Sequence, residues 1–133
     1  MSELIKLGGD YGLIDILHND GTIELPQPFS RETLLWETRI AGTAHLPYIQ
    51  EVEPQLQLEE ELLLRREPEN LYDPWAILIL RQDQTKLGYV PRGENLILAR
   101  LLDAGKNLLA RLKAKEWQRR WLRLDIAIYL QDT

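Results

Sequence analysis

The middle of the chain reads Arg65-Arg66-Glu67-Pro68-Glu69-Asn70-Leu71-Tyr72-Asp73-Pro74-Trp75-Ala76-Ile77. Apolar runs precede this stretch at 62–64 and follow it at 76–80. Its two prolines, its asparagine and its aspartate are residues that end strands and form turns. The sequence therefore predicts a strand, a polar loop and a second strand, around which the other segments must be arranged.

The loop also holds residues that a simple connection does not require. A turn needs Gly, Pro, Asn or Asp, and it needs neither two adjacent arginines nor a tyrosine beside an aspartate. The loop is thus either a binding loop or a surface turn whose tyrosine covers the core. The residue types alone leave both interpretations open.

The chain after the loop carries regular patterns. Residues Lys86–Val90 follow a polar turn and predict a strand that pairs back as a hairpin. Leucines at helical spacing predict a helix from about Glu94 to Ala104. Apolar residues at every second position over 108–115 and 122–130 predict two strands that cover a core with one face.

The chain before the loop is less regular. Residues 1–35 are predicted to be an N-terminal extension, in which Asp20-Gly21 between apolar runs indicates a hairpin. The segment Phe29–Trp36 is predicted to form a helical turn. The main domain is predicted to span residues 36–133.

Within the main domain, Thr38–Ala44 is predicted to be the first strand. The segment His45–Leu58 holds prolines and acids, and it is predicted to be a loop or an irregular strand. Six short strands, one main helix and tight turns indicate a mainly β fold. We expect a small antiparallel six-stranded barrel, OB-like (oligonucleotide-binding-like) or SH3-like, preceded by a hairpin-like extension.

Composition bounds the class of protein. The 133 residues are the size of one domain, and 44% of them are hydrophobic. The absence of cysteine excludes disulfides and cysteine–zinc sites, and it suits a reducing cytoplasm. No apolar run approaches the ~18 residues of a membrane span, and the first residues lack the pattern of a secretory signal. A cytoplasmic location is therefore expected.

The charge is unevenly distributed along the chain. The net charge is −5, which argues against strong general attraction to nucleic acid. Residues 1–64 contain three basic and twelve acidic side chains, whereas residues 65–133 contain thirteen basic and nine acidic side chains. The basic excess therefore begins at the central stretch.

Catalytic signals are weak. The only histidines, His18 and His45, have no serine or acidic partner that the sequence can assign. Gly8-Gly9 is not followed by the Gly-Lys-Ser/Thr of a phosphate loop. We therefore expect a non-enzymatic protein with no catalytic residue, metal site or cofactor.

Nucleic-acid binding has more support from residue types. Single strands are held by basic side chains along the backbone and by aromatic rings that stack on bases. The candidate stacking residues are Tyr48, Tyr72 and Tyr89, and the candidate phosphate contacts are Arg65, Arg66, Arg92, Arg111, Lys113 and Lys115. Core tyrosines and solvated basic stripes would give the same pattern, so binding is one option among several.

Three stretches together resemble the HIRAN domain, a family found as a module of some Swi/Snf-type DNA-remodelling ATPases and as stand-alone bacterial proteins. They are Ile40-Ala41-Gly42-Thr43, then Arg66-Glu67-Pro68-Glu69-Asn70-Leu71-Tyr72-Asp73-Pro74-Trp75-Ala76-Ile77, then Leu87-Gly88-Tyr89-Val90-Pro91-Arg92. The resemblance covers roughly residues 37–130 and implies a modified OB-like barrel.

The resemblance also implies roles for individual residues. Tyr72 would stack on a base near the 3′ end of single-stranded DNA, and Asp73 would accept a hydrogen bond from the terminal 3′ hydroxyl. Arg92 would contact a phosphate and Tyr89 would line the pocket. DNA-binding members place an arginine and an aromatic residue after the glycine, and here only His45 offers a flat ring.

The expected function is therefore a non-enzymatic nucleic-acid-binding module for single-stranded DNA with a free 3′-hydroxyl end, which would serve DNA repair. A helicase, ATPase or nuclease is the expected kind of protein partner. The alternative is a protein-interaction or structural module that keeps the fold without binding DNA.

Overall fold

The structure is a computed structural model that describes residues 31–132, and most of these residues belong to six β-strands. The strands are β1 (Arg31–Arg39), β2 (Glu61–Arg66), β3 (Ile77–Leu80), β4 (Lys86–Tyr89), β5 (Asn107–Gln118) and β6 (Trp121–Asp132). Two α-helices are present in this part of the chain, α1 (Ile49–Val52) and α2 (Leu96–Asp103). The prediction of a mainly β fold with one main helix is confirmed.

All strand pairs are antiparallel, and the strand order is β1-β6-β5-β2-β3-β4. The two outer strands approach each other beyond the end of β1, where Ala41 forms a β-bridge with Tyr89 of β4. Their backbone N–H groups donate to each other's carbonyls at 2.8 and 2.9 Å. The sheet therefore curls into a partly closed, OB-like barrel.

Gly88 allows this closure. Its φ of 145° lies in a region that side chains rarely adopt, and a Cβ built there would lie 2.3 Å from the carbonyl oxygen of Ala41. Glycine within a strand commonly marks such a close backbone approach. Any larger residue at position 88 would push the two outer strands apart.

The core is formed by buried residues of the sheet together with residues of α1 and α2. The alternating residues Leu122, Leu124, Ile126 and Ile128 of β6 are buried, as their period-two pattern predicts. Strand β3 is buried on both faces, and α2 contributes Leu98 and Ala99 to the same core. The predictions for β2 to β6 and for the helix are therefore correct to within a few residues.

The segment before Ile40 differs from the prediction. Residues 31–39 form β1, which pairs with β6 from Arg31 opposite Asp132 to Arg39 opposite Asp125. The helical turn predicted up to Trp36 is therefore wrong for residues 31–36. The strand predicted at Thr38–Ala44 is correct for its first residues, but it begins earlier, at Arg31, and gives way to a 3₁₀ turn at Thr43. Backbone pairing with β6 determines the conformation of β1, and local propensity does not reveal such a long-range partner.

The segment after β1 is helical rather than extended. Thr43–His45 and Glu53–Gln55 form 3₁₀ turns on either side of α1. The loop or irregular strand predicted for His45–Leu58 is thus a series of short helical turns. Pro54 lies at the beginning of the second 3₁₀ turn, a position that proline favours, and Pro47 lies in the turn before α1.

Some predictions fall outside the described residues. The hairpin around Asp20-Gly21 lies there, and the division of the chain between residues 35 and 36 falls within β1. The extension at 1–35 and the domain at 36–133 therefore stay predictions. No helix within residues 31–132 has the length and hydropathy needed to cross a membrane.

Candidate functional site

A groove of about 400 Å³ opens beside the place where the two outer strands meet. Four of the residues that the sequence singles out line it together, namely Tyr72, Asp73, Tyr89 and Arg92. Ala41 and Gly42, which follow β1, line it as well. Three separate segments of the chain therefore converge on one concave surface.

Asn70 builds the loop that carries Tyr72 and Asp73. Its side-chain oxygen accepts hydrogen bonds from the backbone N–H groups of Tyr72 at 2.9 Å and Asp73 at 3.1 Å. Its side-chain nitrogen donates to Glu67 at 3.1 Å. An asparagine that bonds to the backbone two and three residues later fixes a tight turn. The ring of Tyr72 projects from this turn and is 80% exposed.

The carboxylate of Asp73 is held in a fixed orientation. One oxygen accepts a hydrogen bond from the backbone N–H of Trp75 at 2.9 Å, and the other accepts from the side-chain nitrogen of Asn95 at 2.8 Å. Asn95 is only 3% exposed, so this donor cannot turn away into solvent. A carboxylate offers about four acceptor positions, which leaves capacity for a further donor from the groove.

Asn95 is a site residue that sequence reasoning missed. It directly precedes α2, a position where asparagine commonly caps the helix with its side chain. Here the side chain makes no capping hydrogen bond and binds Asp73 instead. An asparagine directly before a helix can be recognised in the sequence as a special position, but its hydrogen bond to Asp73, 22 residues earlier, cannot.

Tyr89 contributes a neutral wall to the groove. Its hydroxyl donates a hydrogen bond to Glu67 at 2.9 Å. Burial, together with the neighbouring carboxylates of Glu67 and Glu69, raises the pKa of Tyr89 to about 12. The phenol is neutral at pH 7, as any tyrosine is, and the raised pKa keeps it neutral well into the alkaline range. Glu67, which holds both Asn70 and Tyr89, is a second residue that the sequence did not single out as part of the site.

Arg66 fastens the loop to helix α2 and is absent from the lining of the groove. Its guanidinium donates to the carbonyls of Ala76 at 2.8 Å and Pro74 at 3.0 Å, and to the carboxylate of Asp103 at 2.9 and 3.2 Å. The Arg66 side chain is 11% exposed. Four of its five N–H donors are therefore occupied by protein groups.

The ring of Trp75 strengthens the same attachment. The guanidinium carbons of Arg66 and Arg100 lie 5.8 and 5.3 Å from its centroid, within the range of cation–π contacts. The loop is thus fixed to α2 near its beginning through Asn95 and near its end through Arg100 and Asp103.

The remaining predicted residues lie apart from one another. Arg65 is exposed on β2, and its guanidinium donates to the side chain of Gln84. His45 is exposed at the end of the turn that follows Gly42, and it is not among the residues that line the groove. Arg92 is exposed at the rim of the groove, and among residues 31–132 no ion pair involves it.

The basic stripe on β5 is neutralised by acids from the first half of the chain. Arg111 pairs with Glu32 at 2.5 Å, Lys113 with Glu59 at 3.0 Å and Lys115 with Glu53 at 2.9 Å. The stripe is therefore largely compensated as a surface for phosphates. Within the part of the chain that the structure describes, no three metal-binding side chains cluster.

Comparison with known proteins identifies related folds. The HIRAN domain family model matches residues 35–132. A structural-genomics target protein from Lactobacillus plantarum has a similar structure, with a TM-score of 0.71 and 25% identity over 78% of this chain and 99% of that chain.

The HIRAN domain of human HLTF is also similar, with a TM-score of 0.59 and 15% identity over 81% of this chain and 84% of that chain, a likeness that concerns the fold alone. No curated protein sequence matches the chain.

Proposed function

This chain belongs to the HIRAN domain family, a family of nucleic-acid-binding modules, and we propose that it is a non-enzymatic module for single-stranded DNA that prefers a free 3′-hydroxyl end. One observation carries the proposal. The groove combines an exposed aromatic ring, an oriented carboxylate and a cation, contributed by Tyr72, Asp73 and Arg92. This combination matches the terminal base, the terminal hydroxyl and a phosphate of a single strand.

Each residue has one role in this proposal. Tyr72 stacks on the base nearest the 3′ end, because any base has a face that an exposed ring can cover. Arg92 binds a backbone phosphate through its planar guanidinium. Tyr89 closes the side of the groove as a neutral wall, with its hydroxyl donated to Glu67.

Asp73 gives the preference for the end. A carboxylate is a poor neighbour for a phosphate, so it does not suit binding along the middle of a strand. It suits a hydroxyl, since an ionised aspartate can only accept hydrogen bonds. Its bonds to Trp75 and Asn95 leave one further acceptor position on each oxygen, and they fix the direction in which those positions point.

Fluorescence anisotropy with labelled short strands tests the end preference. The wild-type protein should bind a 3′-hydroxyl strand more tightly than the same strand with a 3′ phosphate, by roughly tenfold or more, because a hydrogen bond to a charged acceptor contributes about 1.5–3 kcal/mol. Asp73→Asn should narrow this difference, since it removes the charge that repels the phosphate.

The matched control for Asp73→Asn is a melting curve. An asparagine at position 73 keeps an acceptor for Trp75, and its own amide can donate to Asn95 if that side chain turns over. A large loss of stability would show that the variant reports on the loop instead of the ligand. Equal wild-type affinity for both ends would refute end recognition, and no binding of any strand at low salt would refute the DNA-binding proposal.

The second candidate is a structural or protein-interaction module that keeps this fold without binding DNA. The observation in its favour is that both oxygens of Asp73 are already bonded inside the protein. If the module binds DNA, any chemistry on the DNA would come from a partner such as a helicase, ATPase or nuclease.

A further inference from the structure

The hairpin formed by β5 and β6 extends beyond its neighbours in the sheet. Each strand has twelve residues, whereas β2 has six and β3 and β4 have four each. Pairing with β1 stops at Asp125, and pairing with β2 involves only Ala110 and Arg111. The end of the hairpin, residues 116–121, is therefore paired only with itself in the described part of the sheet. We call it the hairpin tip.

The hairpin tip combines cations with aromatic rings. Arg119 and Arg120 form the turn between Gln118 and Trp121, and Trp117 lies one residue further along β5. Residues 116–120 are all exposed, and among residues 31–132 neither turn arginine takes part in an ion pair. Exposed arginines beside aromatic rings are the combination with which proteins hold single strands.

Arg119 occupies a position where a turn alone would favour another residue. Its φ is 61°, in the left-handed region that glycine and asparagine adopt most readily. Gly or Asn would adopt the backbone conformation of this turn position at a lower energetic cost than arginine does. The turn itself does not explain this choice, whereas a requirement for charge at the tip does.

The hairpin tip lies next to the groove. The hydroxyl of Thr43, which is completely buried, donates to the backbone carbonyl of Leu122 at 2.7 Å. Gly42, the residue before Thr43, lines the groove. Leu122 directly follows the last residue of the tip. One hydrogen bond therefore joins the segment that lines the groove to the base of the hairpin tip, and a DNA strand that left the groove on the Gly42 side would pass the tip.

We propose that the hairpin tip is a second DNA contact, in which Arg119 and Arg120 bind phosphates on the 5′ side of the nucleotides held in the groove. This inference rests on the proposed function, because the groove holds the 3′ end and the strand can continue only in the 5′ direction. Guanidinium groups bind phosphate oxygens through two parallel N–H donors. The groove selects the end, and the tip adds affinity for longer strands.

Strand length separates the two contacts experimentally. Anisotropy would compare a 3′-hydroxyl dT4, long enough for the groove, with a 3′-hydroxyl dT12, for the wild type and for the double variant Arg119→Asn/Arg120→Gln. Asparagine tolerates the left-handed backbone at position 119, so the turn is preserved.

The wild type should bind dT12 roughly tenfold more tightly than dT4, with a salt dependence steeper by about 1.4, from two additional phosphate contacts at ~0.7 each. The double variant should bind dT4 like the wild type and should lose both the gain on dT12 and the extra salt dependence.

The control is Lys86→Gln/Lys106→Gln, which removes the same charge from exposed positions outside the hairpin tip. It should keep the wild-type gain with strand length. The inference is overturned if the Arg119/Arg120 variant keeps the length gain, or if the lysine control loses as much of it. If the wild type binds neither strand, the proposed function fails as well, so the two failures are distinguishable.

Discussion

Tyr72 and Asp73 are adjacent in sequence, but the structure uses them in different ways. The Asp73 carboxylate accepts two hydrogen bonds within the protein, whereas the Tyr72 ring is 80% exposed. A large aromatic side chain that buries so little area contributes little to folding. The position of Tyr72 in the loop is therefore explained by a ligand better than by stability.

Replacement of Tyr72 tests this interpretation. Tyr72→Ala should change the free energy of unfolding by less than about 0.5 kcal/mol, as for most surface substitutions. It should weaken binding of a 3′-hydroxyl strand by about 1–3 kcal/mol, the contribution of one base stacked on an aromatic ring. Melting curves and anisotropy titrations on the same preparation measure both quantities.

Two variants of the same loop complete the Tyr72 experiment. Tyr72→Phe keeps the ring and should keep most of the affinity. Leu71→Ala removes the neighbouring side chain, which is 92% exposed, and should alter neither quantity. A clear fall in melting temperature with Tyr72→Ala, without loss of binding, would favour the structural module instead.

The sequence could predict residues that line the groove, but it could not predict the residues that hold them in position by hydrogen bonds. Tyr72 with Asp73, and Tyr89 with Arg92, lie in two of the motifs that resemble the HIRAN domain, and that resemblance indicated them as site residues. Asn95 and Glu67 act through contacts that cross 22 residues of chain in each case. Arg66 was misleading for the same reason, because a bare sequence cannot distinguish a solvated arginine from one bonded to carbonyls.

The loop at 67–76 depends on helix α2 for its position. Asp73 receives a hydrogen bond from Asn95 at the beginning of the helix, and Arg66 binds Asp103 at its end. The ring of Trp75 is within cation–π distance of the guanidinium groups of Arg66 and Arg100. Helix α2 therefore acts as the platform on which the exposed part of the loop is presented.

Conservative replacement of Arg66 tests this role. Arg66→Lys keeps the charge but cannot reproduce the fork of bonds to two carbonyls and a carboxylate. It should lower the free energy of unfolding by about 1.5–3 kcal/mol, since hydrogen bonds to a buried charged group are lost. It should also weaken DNA binding with little change in its salt dependence.

The neighbouring arginine supplies the control for Arg66. Arg65 lies next to it on β2 but is exposed, so Arg65→Lys should leave the melting temperature nearly unchanged. The opposite pattern, with a stable Arg66→Lys protein whose binding loses salt dependence, would mean that Arg66 contacts phosphate directly.

Prediction of elements from sequence succeeded where a pattern was local. The alternation in β5 and β6 and the leucine spacing of α2 each reflect one buried face, so the sequence carries them directly. Strand β1 has no such pattern, because most of its residues are exposed and its partner strand lies about 90 positions later. Its structure could not be read from the segment alone.

Across the whole domain, the acidic first half and the basic second half of the sequence form ion pairs with each other. Glu32, Glu53, Glu59 and Glu60 from the first half each meet a base from the second half. These pairs leave Arg92 at the groove and Arg119 and Arg120 at the hairpin tip as cations available to a polyanion. The net charge of −5 therefore does not describe the binding surface.

The same contacts determine how stability should depend on pH. The hydrogen bonds that Trp36 and Thr38 donate to Glu94 hold the pKa of that carboxyl below its usual value, and Lys115 does the same for Glu53. On acidification the unfolded state takes up these protons first, so stability should fall as the pH drops below about 4.5. Above about pH 4.5, Glu53 and Glu94 are ionised in both the folded and the unfolded state, and they contribute their full stabilisation.

Alkaline pH gives the most specific test, through Tyr89. Its pKa is raised to about 12 by burial and by Glu67, whereas an unfolded tyrosine titrates near ~10. The unfolded state therefore loses its proton first, and the stability that Tyr89 contributes should be lost as the pH rises from about 10 to 12.

Replacement of Tyr89 tests this expectation. Urea unfolding at a series of pH values gives the free energy of unfolding as a function of pH, and Tyr89→Phe should make its decline between about pH 10 and 12 less steep. An unchanged slope in Tyr89→Phe would mean that this phenol is not held neutral by the fold.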